Sequence, residues 1–307
     1  MSISASMVKD LREKTSAGML DCKKALEETK GDFEAAVEWL RVKGLSSAAK
    51  KSDRIATEGL VQAFVGNGGK SAVLMEVNSE TDFVARNEHF KTLVTDLAQH
   101  VAQHKTPPTD AAGLLAQPFF KNSMKVDEHL KESISKIGEN LVVRRFVRID
   151  TDGYVHTYIH GEGKIGVAVE VSAKNANEAV KAFANDVALH VAAMNPLALS
   201  PDQVPAEVVA KEKEILKAKA IEQGKKPEML DKIVGGQINK FLAESCLMEQ
   251  AFVKNPDMKV KDYLAETCKK AGEQFTVRQF VRFELGEGLQ KKANNFAEEV
   301  AAQTKGH

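Results

Sequence analysis

An internal repeat constrains this chain more than any other feature. Glu58-Gly59-Leu60-Val61, then Gly69-Lys70, then Ala72-Val73-Leu74-Met75-Glu76-Val77 recur as Asp152-Gly153-Tyr154-Val155, Gly163-Lys164 and Gly166-Val167-Ala168-Val169-Glu170-Val171. Each block reads as two short strands around a glycine-rich turn. Further on, Asp96-Leu97-Ala98-Gln99-His100-Val101-Ala102 matches Asp186-Val187-Ala188-Leu189-His190-Val191-Ala192, with helical spacing in both. A third pair aligns Gly138-Glu139-Asn140 and the strand-like Leu141 to Arg148 with Gly272-Glu273-Gln274 and Phe275 to Arg282. Three collinear matches predict two similar α+β subdomains, over residues 58–150 and 151–285.

What differs between the copies is informative. Between its second strand and its long helix the first copy carries four extra residues, within Asn78 to Asn87. The second copy carries an insertion of two helices over 206–242, turning at Gly224-Lys225-Lys226-Pro227. Val208, Ile215 and Leu216 mark one arm and Leu230, Val234, Ile238 and Phe241 the other, which predicts a protruding antiparallel hairpin. Gly235-Gly236 inside the return arm weakens it by about 1 kcal/mol per glycine relative to alanine. Ahead of the repeat, residues 1–45 read as a head of three short helices, followed by a small, polar, basic linker over 46–57. Behind it, residues 286–307 read as a helical module striped by Ala293, Phe296, Ala297, Val300 and Ala301. In the head, Met19 and Leu20 follow Gly18 where a turn is expected. Either they fold into the small core or they form an exposed apolar pair that docks on a partner.

Charge excludes some classes of function. The 307 residues hold 43 basic and 43 acidic side chains, whereas a surface that tracks nucleic-acid phosphates carries an excess of Lys and Arg. No direct nucleic-acid binding is expected. No apolar run approaches a membrane span, and Met1 to Lys14 turns amphipathic at once, so a cytoplasmic location is expected. Cys22, Cys246 and Cys268 are too scattered for a disulfide framework or a zinc pair.

Catalytic motifs are weak. Gly69-Lys70-Ser71 resembles the end of a phosphate-binding loop, but Phe64 stands where its first glycine belongs and a hairpin surrounds it. His100 and His104 have the spacing of a zinc pair without the adjacent glutamate or a third ligand. His156 and His160 share one strand face and also lack a third ligand. The expectation is a protein that makes and breaks no bonds and needs neither metal nor cofactor.

Two long motifs carry a resemblance. Leu11-Arg12-Glu13-Lys14-Thr15-Ser16-Ala17-Gly18-Met19-Leu20-Asp21-Cys22-Lys23-Lys24-Ala25-Leu26 is similar to the N-terminal signature of the bacterial elongation factor Ts family. Glu76-Val77-Asn78-Ser79-Glu80-Thr81-Asp82-Phe83-Val84-Ala85-Arg86-Asn87 resembles its second signature. Lys136-Ile137-Gly138-Glu139-Asn140 and His190-Val191-Ala192-Ala193 also match, while Gly235-Gly236 and the stretch around Gln250 to Asp257 depart from the pattern.

The resemblance implies an α+β protein with a ubiquitin-associated-like three-helix head, duplicated core, helical hairpin and C-terminal helix. It implies a guanine-nucleotide exchange factor that binds GDP-loaded elongation factor Tu. Such a factor disturbs Mg²⁺ and nucleotide, and stays on the nucleotide-free form until GTP binds. The intruding motif falls on Thr81, Asp82, Phe83 and Val84, and partner contacts on Leu11, Met19, Leu20 and His190. On sequence alone Phe83 reads equally as a core aromatic. The competing function is a non-catalytic, chaperone-like adaptor using head and hairpin; a metal enzyme built on His100 and His104 is a third.

Overall fold

The computed structural model describes residues 3–290, apart from Ser16 and Ser123. The C-terminal stripe over 293–301 lies outside the described residues.

The chain opens with α1 (Ala5–Thr15), α2 (Met19–Glu28) and α3 (Phe33–Ala49). Asp32 starts α3 by accepting the Ala35 N–H at 3.0 Å, which satisfies a donor that has no partner inside the helix. Val8, Leu11, Cys22, Ala25, Leu26, Ala36 and Leu40 form the small core of this head. The head is not bounded where composition placed its edge. α3 continues through residues 46–49, which read as linker, so the irregular connection starts only at Lys50. The physical reason is packing. The small residues let α3 lie close against a later helix, where a Cβ on Gly44 would sit 3.3 Å from the Ser135 Cβ, and Ala48 joins the core of the first subdomain.

That subdomain consists of β1 (Glu58–Gly66), β2 (Ser71–Ser79), the single turn α4 (Asp82–Ala85), α5 (Glu88–Gln103), α6 (Ala111–Ala116), α7 (Val126–Ile137) and β3 (Leu141–Asp150). Its antiparallel sheet has the order β1-β2-β3, with α5 packed across one face. The second subdomain has β4 (Tyr154–His160), β5 (Ile165–Val171), α8 (Glu178–Met194), the hairpin arms α9 (Ala206–Glu222) and α10 (Pro227–Ser245), the two-stranded ribbon β6 (Ala251–Phe252) and β7 (Asn255–Lys259), α11 (Val260–Ala271) and β8 (Val277–Glu284). Its sheet runs β4-β5-β8, again antiparallel. The fold is α+β.

The duplication reaches further than the sequence matches showed. Each sheet has a bulge at the same place, Arg144 of β3 opposite Glu76 and Val77 and Arg278 of β8 opposite Glu170 and Val171. Gln117-Pro118-Phe119-Phe120-Lys121-Asn122 repeats as Gln250-Ala251-Phe252-Val253-Lys254-Asn255. Phe119 stacks on His129 at 4.6 Å, as Phe252 stacks on Tyr263. Lys121 pairs with Asp96 at 2.7 Å, as Lys254 pairs with Asp186. The stretch around Gln250, a departure from the family pattern on sequence, is thus a repeated element of the fold.

The sheets pack face to face and exchange turns. Val61 N–H donates to the Gly163 carbonyl at 2.7 Å and Val155 N–H to the Gly69 carbonyl at 2.8 Å. Thr151 N–H likewise donates to Lys70 and Leu285 N–H to Lys164. Gly69 and Gly163 have φ of +87° and +94°, and a Cβ on Gly163 would lie 2.7 Å from that of Leu60, so both turns need glycine. Strand β2 is buried along its whole length, since α5 covers one face and the second sheet the other. That accounts for its unbroken apolar run.

Each bulge buries a glutamate. Glu76 is paired with Arg144 and Arg145 at 2.8 and 2.6 Å and accepts the Gly286 N–H at 2.8 Å. Glu170 accepts from Thr151, Gln279 and Arg278. Burial pushes each carboxyl up, but these donors outweigh it and hold both below the usual carboxylate range.

The hairpin's seam is Ala220, Leu230, Val234 and Ile238. Its return arm runs on to Ser245, past the boundary at 242. The base is fastened by Ala198, Val204 and Cys246 against Val208, Val209 and Leu242.

Candidate partner-binding surface

Where β2 ends, the chain does not pass straight into α5. Ser79 Oγ donates to the Thr81 carbonyl at 2.9 Å. Thr81 is then held from outside: its N–H and its hydroxyl donate to the two carboxylate oxygens of Glu139 at 3.0 and 2.6 Å. From Thr81 the chain makes the single turn α4, and Asn87 caps α5 by accepting the His89 N–H at 2.8 Å. Successive residues of a helical turn point about 100° apart, so one can be buried while its neighbour stands clear. Val84 enters the subdomain core, whereas Phe83 is 79% exposed. Asp82 is exposed and lies 3.6 Å from Arg86. Of the two readings of Phe83, the core aromatic is excluded. Of the four motif residues, Asp82 and Phe83 are presented outward, Thr81 is half-buried and Val84 is an anchor.

Phe83 and Arg86 line one wall of a cleft of about 960 Å³. The turn holding Glu162 and Lys164 of the second subdomain lines the other. The cleft exists because the second sheet's turn reaches across to β1, so both subdomains contribute to it.

In the head, Met19 and Leu20 occupy the first turn of α2 and are 55% and 83% exposed. They form an outward apolar pair, not part of the small core. Leu11 differs: it is fully buried against the other helices of the head. Its expected direct contact with a partner is corrected, because it holds the shape of the surface without being part of it.

The elongation factor TS family model matches residues 80–287. The chain belongs to the elongation factor Ts family. It is 58% identical to elongation factor Ts of Bdellovibrio bacteriovorus over the full length of both chains. It is 50% identical to that of Syntrophotalea carbinolica over 99% of this chain and all of the relative. With that of Clostridioides difficile it shares 49% over 99% of each. The protein is a translation elongation factor.

Within this member of the elongation factor Ts family, His190 is the second correction. It is fully buried on α8. Val253 N–H donates to its Nδ1 at 3.1 Å, so Nε2 carries the proton and donates to Gln250 Oε1 at 2.9 Å. Gln250 in turn donates to the Glu244 carbonyl at the end of the hairpin. Burial depresses the imidazole pKa, the Gln250 contact opposing it, and a ring that accepts at Nδ1 is neutral. His190 therefore ties α8 to β6 and to the hairpin base instead of facing a partner. Beyond it, Met194 and Leu197 are exposed apolar side chains that sequence reasoning passed over. Their signal was a helix end followed by Pro196 and more apolar residues.

The remaining chemical motifs resolve as scaffold. Lys70 donates to the Asp152 carbonyl at 2.8 Å, tying one subdomain to the other. His100 Nε2 meets Gln117 Oε1 at 3.0 Å, the first-copy counterpart of His190 and Gln250. His104 contacts Thr106 at the end of α5. His160 meets the Tyr158 hydroxyl at 2.9 Å. The three cysteines are buried, and burial pushes the Cys22 and Cys246 thiols up, away from the reactive thiolate. Among the described residues no group of three His, Cys, Asp or Glu side chains is placed to hold a metal ion. Nor is any helix among them long and apolar enough to cross a membrane.

Proposed function

We propose that this chain is a cytoplasmic guanine-nucleotide exchange factor that binds GDP-loaded elongation factor Tu and speeds GDP release. It holds the nucleotide-free form until GTP binds. Asp82 and Phe83 press toward the partner's Mg²⁺ and nucleotide site, and Met19 and Leu20 anchor the head on the partner. The observation that carries the reading is the exposure of Phe83 beside the buried Val84, on an extension the second subdomain lacks. An aromatic side chain left out of its own core, on a turn fixed at both ends, is suited to enter another protein.

Exchange needs no acid, base or nucleophile. It is a coupling between two binding equilibria: a factor that weakens GDP binding is itself bound more weakly by the same ratio when GDP is present. Mg²⁺ takes near-octahedral oxygen ligands at about 2.1 Å, so a small displacement of its surroundings costs much of its affinity. Burying one Phe yields roughly 1.5–3 kcal/mol, about one or two powers of ten in an equilibrium constant. Phe83 therefore cannot carry exchange alone, and the contacts of the head and both subdomains supply the rest.

The test is release of fluorescent GDP from elongation factor Tu on mixing with this protein. Fast release supports exchange. Stoichiometric binding without release replaces it with the adaptor reading.

A further inference from the structure

The two copies treat the exit of their middle strand in the same way. In the first, Glu139 receives the Thr81 N–H and hydroxyl on its two oxygens. In the second, Glu273, its counterpart, receives the N–H groups of Lys174 and Asn175 at 2.7 and 3.1 Å. After the clamp the second copy needs only Ala176 to reach Asn177, which caps α8 by accepting the Val180 N–H. In the first copy five residues, 82–86, stand in that place, four more than in the second, before Asn87 does the same for α5. The extension bearing Asp82 and Phe83 is therefore mounted directly on a clamp that the fold already possesses.

The first-copy clamp is also reciprocal. Glu80 accepts the Asn140 N–H at 2.7 Å while Glu139 holds Thr81, and Asn140 donates to the Ser52 and Arg54 carbonyls of the connection from the head. Thr81 is the N-cap of α4, yet its hydroxyl makes no capping bond to that turn because Glu139 holds it. Freed of Glu139, the same hydroxyl could fold back onto the turn, as threonine at an N-cap commonly does. That would rotate the start of α4, and with it Phe83. The two hydrogen bonds that Glu139 makes to Thr81 outweigh the single capping bond the hydroxyl would gain on the turn, so Glu139 decides which arrangement is populated.

We propose that Glu139 is a positioning residue for nucleotide exchange: its carboxylate sets the direction in which the turn presents Asp82 and Phe83. This rests on the assignment of those two residues given above. It gives Glu139 a role that Glu273, holding a strand exit without an extension, does not have.

The experiment compares Glu139→Ala, Glu139→Gln, Glu273→Ala and Phe83→Ala in the full chain. Each is read by fluorescent-GDP release from elongation factor Tu across factor concentrations, and by the unfolding midpoint. Glu139→Ala is expected to slow release at saturating factor by about tenfold or more, with the half-saturating concentration changed less than about threefold. Glu139→Gln can still accept the Thr81 N–H and donate to its hydroxyl, so it should stay within about threefold of the parent. Glu273→Ala should stay within about twofold even where its midpoint falls as far as that of Glu139→Ala. A folded Glu139→Ala protein with unchanged saturating release overturns the proposal, and so does equal slowing by Glu273→Ala. If Glu139→Ala has no folded transition, Glu139→Asp, whose carboxylate falls one methylene short of Thr81 and so frees its hydroxyl, replaces it. Release about fivefold slower supports the clamp, and release within about twofold overturns it. Phe83→Ala separates the two levels. If it releases GDP as fast as the parent, the assignment of the turn falls and the clamp's role with it. If it is slow while Glu139→Ala is normal, only the clamp's role falls.

Discussion

Val84 and Phe83 are consecutive residues on one helical turn, and the first is 8% exposed while the second is 79% exposed. On the proposed reading, stability and partner contact are divided between these neighbouring side chains. Val84→Ala removes two buried methyl groups and is expected to lower folding stability by about 2 kcal/mol. Phe83→Ala should leave stability within about 0.5 kcal/mol, as exposed substitutions do, while slowing GDP release. Chemical unfolding midpoints and release rates measured on both variants check the division. A Phe83→Ala midpoint loss as large as that of Val84→Ala would return Phe83 to the core.

The head gives a second expectation. Met19→Ser with Leu20→Ser should leave the helical circular dichroism signal intact, because both side chains are largely exposed, and raise the Kd for elongation factor Tu by about tenfold or more. Deleting residues 1–44 should do more than remove the head. It leaves α3 a stump too short to hold a helix alone and uncovers α7, so the midpoint of the remaining protein should fall. A deletion ending at Gly31, which keeps α3 whole, should spare it.

Acid should unfold the protein in two stages. His100, His129, His156 and His190 all have pKa values depressed mainly by burial. The unfolded chain therefore takes up protons first, and stability present above the ordinary histidine value of about 6.5 is lost as pH falls below it. Glu76 is also depressed, by the Gly286, Arg144 and Arg145 donors that overcome its burial. Its contribution is complete above the ordinary glutamate value of about 4.3 and is lost as pH falls through the lower folded value. Unfolding free energy measured against pH should show both falls, and Glu76→Gln should remove part of the lower one.

Gly235 and Gly236 lie within α10, and a Cβ at either meets nothing within 4 Å. Gly235→Ala and Gly236→Ala are each expected to stabilise the hairpin by about 1 kcal/mol. Amide hydrogen exchange along α10 reads the gain directly. Deleting the whole of 206–242 should destabilise the body by removing Val208, Val209 and Leu242 from the base. Deleting 211–239 should not.

Local pattern determined much of this protein. Strand alternation, glycine turns and helical periodicity are properties of short windows, so the α+β class, the hairpin and the repeated strand–turn–strand units were legible in the residues. The extension of four residues within Asn78 to Asn87 was legible because one copy could be laid on the other. Direction and depth were not, because they depend on what lies opposite each side chain. Leu11 and His190 belong to motifs that mark a binding protein, yet only packing shows that both are buried. Ser46 to Ala49 look like linker by composition and are helix because Ala48 packs into the core of the first subdomain. Phe83 could have entered the core or left it. Tertiary structure decided that, by seating Val84 in the core and pinning Thr81 to Glu139, a residue far along the chain whose carboxylate no local window connects to the turn it holds.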